Sequence, residues 1–564
     1  MLSHGLLPDS GAPSKEILQR WLDEQGIIRD EGLDIVDMED GSGWRLDAGT
    51  NMKLGDLICS IPKTSILSHR TSSLPPLPFP VPSAAETTIH LSDEEKSIGV
   101  NPILHLTLCL LHEFGLNKKS KFYGYLQSLP RVIIGLPIFW NIFEIGGIDG
   151  EKGYKWLKGT ECERELKLRE NEGLGLSNLQ KFYSNYASHL PPTSTHSERS
   201  PIVAFYYCFS LISTRAFMID LYHLIGLCPF ADILNHSIGN GNTSLSSDDF
   251  VCHLCGSLKT CQEHDIVNDN NGIAYRLLHL DQKDIERIES DEDDDTVELR
   301  LESPLRLLQD NNEKGIKEKE KVEIFNSYGD NLSDSKLLVE WGFILDEFTG
   351  DGLIWDLEDL NIGYPENKMD KIWEIINEVA ENIEIDKMNK EDEEKHEEDG
   401  EDDLICGQNE KNQKLLNLDQ SGRLSINILC LSVLFEYLEK NAISEIDTNS
   451  NKIRGLLVKE IREIQDIWLQ IDSDSNQNTG KTPRTSNNKI KSPVIRRIRE
   501  LLQTRLSKMH KHEFTQDQLF DLRDSLKPED KYQYMAMTIS INERVLIISA
   551  MNKWEEMARH VKNQ

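Results

Sequence analysis

The chain has 564 residues and a mass of 64.6 kDa, and at about 100–200 residues per domain this length predicts roughly three domains. Hydrophobic residues make up 38% and charged residues 28%, which excludes a wholly disordered, fibrous or collagen-like chain. The net charge of −34, from 62 Lys and Arg against 96 Asp and Glu, disfavours generic binding to nucleic-acid phosphates, which needs clustered cations.

The composition also indicates in which cellular compartment the protein is expected. No apolar run reaches the ~18–20 residues of a membrane span, and the best candidate, Ile202 to Ile212, is predicted to be a buried helix. The amino terminus lacks the basic and apolar regions of a secretory signal. Ten cysteines in so long a chain fit a reducing compartment, so we expect the nucleus and/or cytoplasm. Four cysteines lie among aliphatic residues and are expected in the core: Cys59, Cys109, Cys208 and Cys430.

The first segment, to about residue 95, combines a short helix with short strands. Ile17 to Gln25 has the amphipathic spacing of a helix. Strands are predicted at Leu33–Val36, Trp44–Leu46 and Leu57–Ile61, because Gly and Pro residues separate these apolar runs. The Pro- and Ser-rich stretch Ser72–Ala85 is predicted to be a loop or linker.

Residues from about 96 to 225 have a helical pattern. Asn101 is the expected N-cap of a helix with Pro102 at its first position, and Gly115 is expected to end that helix after Phe114. The other expectations are helices at Trp156–Glu170 and Ser177–Tyr186, a core segment at Ile202–Tyr222 and a turn-rich loop at Gly146–Gly150.

Residues 226 to 345 are predicted to form short strands, and the chain from about 346 is predicted to be helical to its end. Helices are expected at Met369–Ile383, Leu424–Asn441, Lys452–Ile471, Pro493–Lys511 and Asp517–Leu526. An acidic spacer at about 386–403 and a polar spacer at about 473–488 lack the apolar residues that offset ordering entropy. Both spacers are therefore predicted to be disordered.

Two short segments carry the functional signal. The first is Pro229-Phe-Ala-Asp-Ile-Leu-Asn-His-Ser237, and the second is Glu323-Ile-Phe-Asn-Ser-Tyr-Gly329. Asn-His-Ser is an ordinary turn tripeptide, and a Tyr before a Gly is common at the end of a strand. Neither segment alone therefore indicates catalysis.

The order of the motifs is more specific. A glycine-rich strand turn with Gly41 and Gly43 precedes a helical insert, the segment Ser213–Phe217, the Asn-His-Ser and Ser-Tyr-Gly motifs, Gly342–Phe343 and a helical region. This order resembles the SET-domain protein lysine methyltransferases of the Rubisco large-subunit methyltransferase type, which includes enzymes acting on ribosomal proteins, elongation factors and other non-histone targets. The resemblance covers about residues 20–345 and, more loosely, the helical remainder.

The resemblance implies an α+β fold. This is the SET fold of short β-sheets with a knot-like core and a helical insert, followed by an all-α carboxyl-terminal domain. The SET domain is expected at 20–345, with its helical insert at about 96–225 and an acidic, cysteine-containing insert at about 238–322. Residues 346–564 are expected to form a helical domain that helps to dock the protein substrate.

The same resemblance implies which residues bind the cofactor. Asn235 and His236 should hold the amino-acid part of S-adenosylmethionine, largely through backbone groups. The main chain of Gly43, Trp44 and Arg45 should approach the same cofactor. All five residues are thus predicted cofactor contacts.

Other residues are assigned to the methyl-transfer channel by the resemblance. Arg215, with Thr214 beside it, matches a position that contacts the cofactor carboxylate or the lysine channel. Tyr328 matches the tyrosine whose hydroxyl lines the channel, so it is the predicted catalytic residue and a cofactor contact. Phe343 matches an aromatic residue of the channel, which makes Arg215 and Phe343 the predicted substrate contacts. Asp232 is expected to organise the turn.

The sequence departs from the family pattern in three places. Trp44 is bulky beside the glycine turn, and Asn326 replaces an aliphatic residue of many members. Glu323 lies 86 positions after Ser237, which is long for this region. None of these departures removes a residue that the mechanism needs.

The long insert contains a cluster of possible metal ligands. The spacing of Cys252, Cys255, Cys261 and His264 permits a tetrahedral Cys₃His zinc site. The alternative is a loop with three free thiols in a reducing compartment. The sequence favours that alternative and assigns no metal ligand.

The sequence thus predicts methyl transfer from S-adenosylmethionine to a lysine ε-amine of a protein. Two alternatives are a catalytically silent SET-like interaction module and a zinc-knuckle nucleic-acid binder. Because the chain is acidic, the expected partner is a basic protein, such as a ribosomal protein or translation factor. We expect no nucleic-acid or membrane partner, and we expect a monomer.

Overall fold

The chain divides into two compact units. The first comprises Met1–Gly146, Leu166–Leu332 and Leu337–Gly342, and the second comprises Gly147–Glu165, Ser333–Lys336 and Phe343–Gln564. The structure is a computed structural model that describes residues 14–38, 43–49, 52–76, 101–187, 190, 201–237, 241–248, 250–267, 272–280, 282–289, 295–303, 321–328, 332–345, 352–360, 369–379, 416–419, 422–441, 451–474 and 488–563.

Two short segments assigned to the SET part from the sequence have their contacts in the second unit. These are 147–165 and 333–336. Hydrogen bonds attach segment 147–165 to the second unit, because the Asp149 carboxylate accepts from the backbone N–H groups of Tyr532 and Gln533 at 2.8 and 3.0 Å. The side chain thereby caps the start of a long helix that begins at Lys531.

Short strands form three small sheets in the first unit. Their orders are β1-β4-β10-β9-β12-β8, β11-β3-β2 and β5-β7-β6. The strands are β1 (Ile28–Arg29), β2 (Asp34–Asp37), β3 (Trp44–Gly49), β4 (Leu57–Pro62), β5 (Leu67–Ser68), β6 (Ala216–Met218), β7 (Ile225–Leu227), β8 (Asn235–His236), β9 (Thr243–Ser247), β10 (Thr296–Leu301), β11 (Lys321–Glu323) and β12 (Phe325–Asn326). The strands predicted near residues 33, 44 and 57 are confirmed as β2, β3 and β4.

Helices precede, separate and follow these strands along the chain. They are α1 (Lys15–Glu24), α2 (Pro102–Leu116), α3 (Tyr123–Leu126), α4 (Phe143–Trp156), α5 (Glu161–Asn171), α6 (Leu176–Asn185), α7 (Pro201–Arg215), α8 (Gln282–Glu289) and α9 (Asp334–Trp341). Asn101 caps α2 as predicted, because its Oδ1 accepts from the Ile103 N–H at 2.9 Å. The apolar helices α2 and α7 pack against each other and supply much of the core.

Several predicted boundaries are wrong. Helix α2 continues through Gly115 and ends only before Asn117, which has a φ of 52°. The predicted helix at Trp156–Glu170 is interrupted, since α4 ends at Trp156 and α5 begins at Glu161. The predicted core segment at Ile202–Tyr222 is buried over most of α7, but Met218 and Leu221 beyond that helix are exposed.

The predicted loop at Gly146–Gly150 is instead part of α4. Gly147 makes a kink there with a φ of 60°. A Cβ on Gly146 would lie 2.1 Å from the Trp140 carbonyl oxygen. Gly146 therefore permits a close backbone approach inside a helical segment, and this use of glycine has no local sequence signal.

The predicted core cysteines are buried. Cys59, Cys109 and Cys208 belong to the apolar core of the first unit, and Cys430 belongs to that of the second. Burial raises the pKa of the Cys59 thiol to about 12, so this thiol stays protonated at neutral pH.

The second unit is helical, as predicted, with one additional two-stranded ladder. The ladder pairs β13 (Leu353–Ile354) with β14 (Asn417–Leu418), and the helices are α10 (369–379), α11 (Ile426–Lys440), α12 (Asn451–Asp474), α13 (Asn488–Lys508), α14 (Gln516–Asp524) and α15 (Lys531–Asn563). Helix α15 was not predicted as a separate element. The acidic spacer lies outside the described residues, as do most of the polar spacer and part of Ser72–Ala85. Within the described part, no helix combines the length and apolar composition needed to cross a membrane.

The second unit contains a buried ionic cluster. Arg505 forms an ion pair with Glu161 at 2.8 Å, and the Glu161 backbone N–H donates to Glu543 at 3.0 Å. Burial and the neighbouring charge of Glu161 raise the pKa of Glu543 to about 8, although Arg505 opposes this rise. Glu543 is therefore largely protonated at neutral pH in the folded chain.

This raised pKa predicts how the stability of the second unit depends on pH. Between about pH 4.3 and 8 the folded unit keeps a proton that the unfolded chain releases, so the free energy of unfolding should fall as pH rises. Glu543→Gln cannot ionise, and its unfolding free energy should fall less steeply across this range. Denaturant unfolding of the full chain at several pH values measures the slopes. The exposed Glu529→Gln is the control, and equal slopes for all three proteins would contradict the prediction.

Candidate functional site

The site depends on the pairing of two segments that are far apart in sequence. Asn235 and His236 form β8, which pairs in parallel with Phe325 and Asn326 of β12. Strand β12 also pairs in parallel with β9 on its other side, at Thr243. The Asn-His-Ser and Ser-Tyr-Gly motifs are thus neighbours, as the resemblance implies.

Hydrogen bonds from the β9 side fix the position of β12. The Phe325 backbone N–H donates to Oδ1 of Asn242 at 2.8 Å. The Thr243 hydroxyl donates to the Phe325 carbonyl at 2.9 Å. Because both backbone groups of Phe325 are held, the direction in which the chain leaves β12 toward Tyr328 is also fixed.

Tyr328 lies in a stack of three rings. Its ring centroid is 4.9 Å from that of His236 and 5.4 Å from that of Trp341, with interplanar angles of 22° and 24°. The Tyr328 backbone N–H donates to Nδ1 of His236 at 3.1 Å. Since burial holds the pKa of His236 below its ordinary value, the imidazole is neutral at pH 7 and its proton is on Nε2.

The phenol of Tyr328 is also neutral. Burial raises its pKa, although the positive charge of Arg215 opposes this effect. The hydroxyl donates to the Leu234 carbonyl at 3.3 Å. Tyr328 therefore has a protonated hydroxyl that can both donate and accept a hydrogen bond, and it feels the positive charge of Arg215.

Arg215, at the end of α7, is held by a buried carboxylate. Its Nη1 donates to the Asp232 carbonyl oxygen at 2.5 Å and lies 3.9 Å from Oδ2 of the same residue. The Tyr125 hydroxyl donates to that Oδ2 at 2.8 Å. Burial raises the pKa of Asp232, whereas the charge of Arg215 and the bond from Tyr125 oppose the rise. Asp232 thus organises the turn, as expected.

Arg215 and Gly43 of the glycine turn line the same cleft. Its lining residues are Gly43, Trp44, Ser128, Leu129, Pro130, Arg215, Asp232 and Ile233. Gly43 has a φ of 155°, a conformation that favours glycine, and a Cβ there would meet no atom within 4 Å. The backbone angle therefore favours glycine here, and the space beside its Cα is open to a ligand, although its carbonyl accepts from the Met38 N–H at 2.9 Å.

The remaining predicted cofactor residues have side-chain partners inside the protein. Asn235 Nδ2 donates to Oε1 of Glu323 at 2.8 Å, and Nε of Arg45 pairs with Asp47 at 2.9 Å. The Thr214 hydroxyl donates to the Ser210 carbonyl within α7 at 2.8 Å, which leaves its side chain turned into the helix. The roles of these residues in cofactor binding stay predictions.

Three residues of the predicted motifs lie outside the described part of the first unit. Phe343 belongs to the second unit, so its role in a lysine channel stays a prediction. Gly41 and Gly329 lie outside the described residues.

The sequence did not reveal three partners of the predicted residues. They are Trp341, stacked on Tyr328; Glu323, bonded to Asn235; and Tyr125, bonded to Asp232. Only Trp341 has a sequence signal, since it lies close behind the Ser-Tyr-Gly motif. The other two partners lie about a hundred positions away, and the fold alone brings them near.

Comparisons with known proteins agree with this fold. No family model matches the chain. It is 23% identical over 366 residues to Ribosomal lysine N-methyltransferase 3 of Saccharomyces cerevisiae, which covers 57% of this chain and 60% of that protein. It is 26% identical over 239 residues to Protein SET DOMAIN GROUP 40 of Arabidopsis thaliana, which covers 39% of this chain and 42% of that protein. The chain thus spans about half the length of these relatives.

Solved structures match almost the whole chain. The SET domain of LSMT bound to lysine and AdoHcy gives a TM-score of 0.54 at 16% identity, and the match covers 98% of this chain and 94% of that one. Rubisco LSMT bound to sinefungin and monomethyllysine gives the same values. The predicted α+β SET fold of the Rubisco large-subunit methyltransferase type is therefore confirmed.

The buried Asp232 network yields a test of the site's construction. Tyr125→Phe removes the hydroxyl that donates to a buried carboxylate, so it should lower the free energy of unfolding by about 1–3 kcal/mol. Urea unfolding measures this loss. Tyr183→Phe is the matched control, because the described residues give its hydroxyl no hydrogen-bond partner, and it should change the stability little. Equal losses in the two variants would refute a specific role for the Tyr125–Asp232 bond.

Proposed function

We propose that this chain is a protein-lysine N-methyltransferase that transfers a methyl group from S-adenosylmethionine to a lysine ε-amine. One observation carries the proposal: Gly43 of the glycine turn and the Arg215 cation line one cleft, and the charge of Arg215 acts on Tyr328, which stacks on His236. A relative named as a ribosomal lysine N-methyltransferase supports it. So do the AdoHcy, sinefungin and lysine ligands of the structures with the same fold.

The residues of the cleft fit the proposed cofactor. Its carboxylate needs a cation and N–H donors, and Nε of Arg215 is buried without a hydrogen-bond partner among the described residues. The open space beside the Gly43 Cα allows a close approach, and the Trp44 indole offers an apolar face. Asn235 and His236 would contribute backbone groups on the opposite side.

The chemistry requires a neutral lysine amine. A free lysine has a pKa of about 10.4, so only about one in 10³ is neutral at pH 7, a free-energy cost of roughly 4–5 kcal/mol. The stacked rings of Tyr328 and Trp341 provide an apolar wall that would desolvate the amine and lower its pKa. The cation of Arg215 near Tyr328 acts in the same direction.

The site residues would also align the reactants. S-adenosylmethionine, when bound, supplies a methyl group on a positively charged sulfur. The neutral hydroxyl of Tyr328 can accept a hydrogen bond from the amine and direct its lone pair, and such alignment accounts for much of the acceleration in two-reactant steps. His236 and Trp341 hold the phenol ring between them, so this orientation is already set before the substrate arrives.

We further propose that the substrate is a basic, non-histone protein such as a ribosomal protein or translation factor. The net charge of −34 supports attraction to a basic partner, and one relative carries a ribosomal name. The enzyme would act as a monomer in the nucleus and/or cytoplasm, without nucleic-acid or membrane partners. The identity of the methylated protein tests this part separately from the activity.

Variants at Asn235 and Tyr328 separate cofactor binding from methyl transfer. Asn235→Ala removes the bond to Glu323, and it should weaken S-adenosylmethionine binding by about 1–3 kcal/mol, roughly 5- to 150-fold in Kd. Tyr328→Phe keeps the ring stack and removes only the hydroxyl. It should leave the Kd nearly unchanged and either lower turnover sharply or alter the number of methyl groups added, because the hydroxyl acts mainly in the transition state.

Calorimetric titration with the cofactor and a turnover assay on the same preparations measure both quantities. The exposed Tyr275→Phe is the matched control and should behave as wild type. If Tyr328→Phe turned over at the wild-type rate with the same product, the catalytic role of Tyr328 would be wrong. A silent SET-like module would show no turnover in any of the proteins.

A further inference from the structure

A compact group of metal-binding side chains lies in the insert between β9 and β10. We propose that Cys252, Cys255, Cys261 and His264 bind one structural zinc ion, independently of the methyl-transfer site. One ligand atom from each of the four residues lies within 4.8 Å of all the others. The geometry thus favours the metal site over the free-thiol loop that the sequence favoured.

Two distances between donor atoms match those of a tetrahedral site, and the others lie within 4.8 Å. Zinc–sulfur bonds of about 2.3 Å and zinc–nitrogen bonds of about 2.0–2.1 Å place two sulfurs about 3.8 Å apart and a sulfur and a nitrogen about 3.5 Å apart. The Cys255 and Cys261 sulfurs are 3.6 Å apart, and the Cys261 sulfur is 3.4 Å from Nδ1 of His264. A disulfide would need about 2.05 Å, and all three cysteines are free.

The backbone around Cys252 and Cys255 folds into a tight turn that points both sulfurs inward. The Gly256 N–H donates to the Cys252 carbonyl at 2.7 Å, and the Cys252 N–H donates to the Ser257 carbonyl at 2.9 Å. Gly256 has a φ of 76°, and a Cβ there would lie 2.6 Å from the Tyr222 ring. Both the angle and the space require glycine, so the turn is specific.

The second pair of ligands is held by an arginine and an aspartate. The Cys261 N–H donates to Asp265 Oδ2 at 2.7 Å, and Arg276 Nε donates to Asp265 Oδ1 at 2.9 Å. The Arg276 guanidinium also donates to three carbonyl groups, those of Phe250, Leu258 and Lys259. These bonds join the segments before and after the cluster, which keeps all four ligands near one point.

The insert needs a cross-link because its own core is small. Among the described residues its buried apolar cluster contains Val251, Leu258 and Ile288. The other buried apolar side chains of the insert, apart from the ligand Cys252, are Ala274, Leu277 and Ile285. At its base, buried Lys63 pairs with Asp295 at 2.7 Å and donates to the Asp248 carbonyl at 3.2 Å, which fixes both ends of the insert. So small an apolar core rarely orders a loop of this length, whereas a structural metal does.

The ligand set indicates the metal and its role. Three thiolates and an imidazole select zinc among the common divalent ions. Four protein ligands fill a tetrahedron and leave no position for substrate, so the ion is structural. It would fix the insert that begins shortly after β9, the strand that supports β12.

Metal analysis of the full chain tests the proposal. Protein purified without chelator should contain about one zinc per chain, and Cys255→Ser combined with Cys261→Ser should lose it. His253→Ala is the matched control, because His253 lies between two ligands but outside the cluster, and it should keep the metal. A wild-type protein without zinc, or a double variant that retains it, would overturn the proposal.

A second measurement uses the wild-type chain, so it does not depend on how the variants fold. Removing the metal with a chelator should raise hydrogen exchange in residues 250–280, and adding zinc should restore protection. Cobalt(II) should replace zinc and give the visible absorption of a tetrahedral thiolate complex. Exchange that does not respond to the chelator, or an octahedral cobalt spectrum, would contradict a structural Cys₃His site.

Discussion

The parallel pairing of β8 with β12 is the interaction on which the candidate site depends. Each strand has only two residues, and the segments are about ninety positions apart, so closing this loop costs entropy that two ladder positions cannot offset. Other contacts must therefore stabilise it. Asn242 and Thr243 hold the backbone of Phe325 from the opposite side, and Ile324 beside them is fully buried. The stack of His236, Tyr328 and Trp341 follows from this arrangement.

The charges of the site are arranged by burial. A buried carboxylate is unfavourable unless it is paired, and Asp232 is paired with both Arg215 and Tyr125. This network holds a cation at the cleft while the phenol of Tyr328 and the imidazole of His236 stay neutral at physiological pH. A site of this kind can bind a carboxylate and desolvate an amine, and both properties are needed for methyl transfer to lysine.

Local signals predicted local structure well and long-range partners poorly. The Asn101 cap and the apolar spacing that follows it are both local to helix α2, so the sequence alone predicts this helix. The Tyr125–Asp232 bond joins distant positions and leaves no pattern in the sequence. Gly146 was interpreted as a loop signal, although it serves close packing on Trp140 inside a helix. The motif residues were assigned through a resemblance, because the function depends on how separate segments meet.

The most direct test of methyl transfer uses S-adenosylmethionine with an isotopically labelled methyl group. The protein is incubated with this cofactor and with a lysate from cells that lack the protein. The labelled proteins are then separated and hydrolysed to amino acids. We predict label in methylated lysine of a basic protein, dependent on the intact chain. Label confined to arginine or histidine, or no protein label despite measurable cofactor binding, would contradict the assignment of this site to lysine methylation.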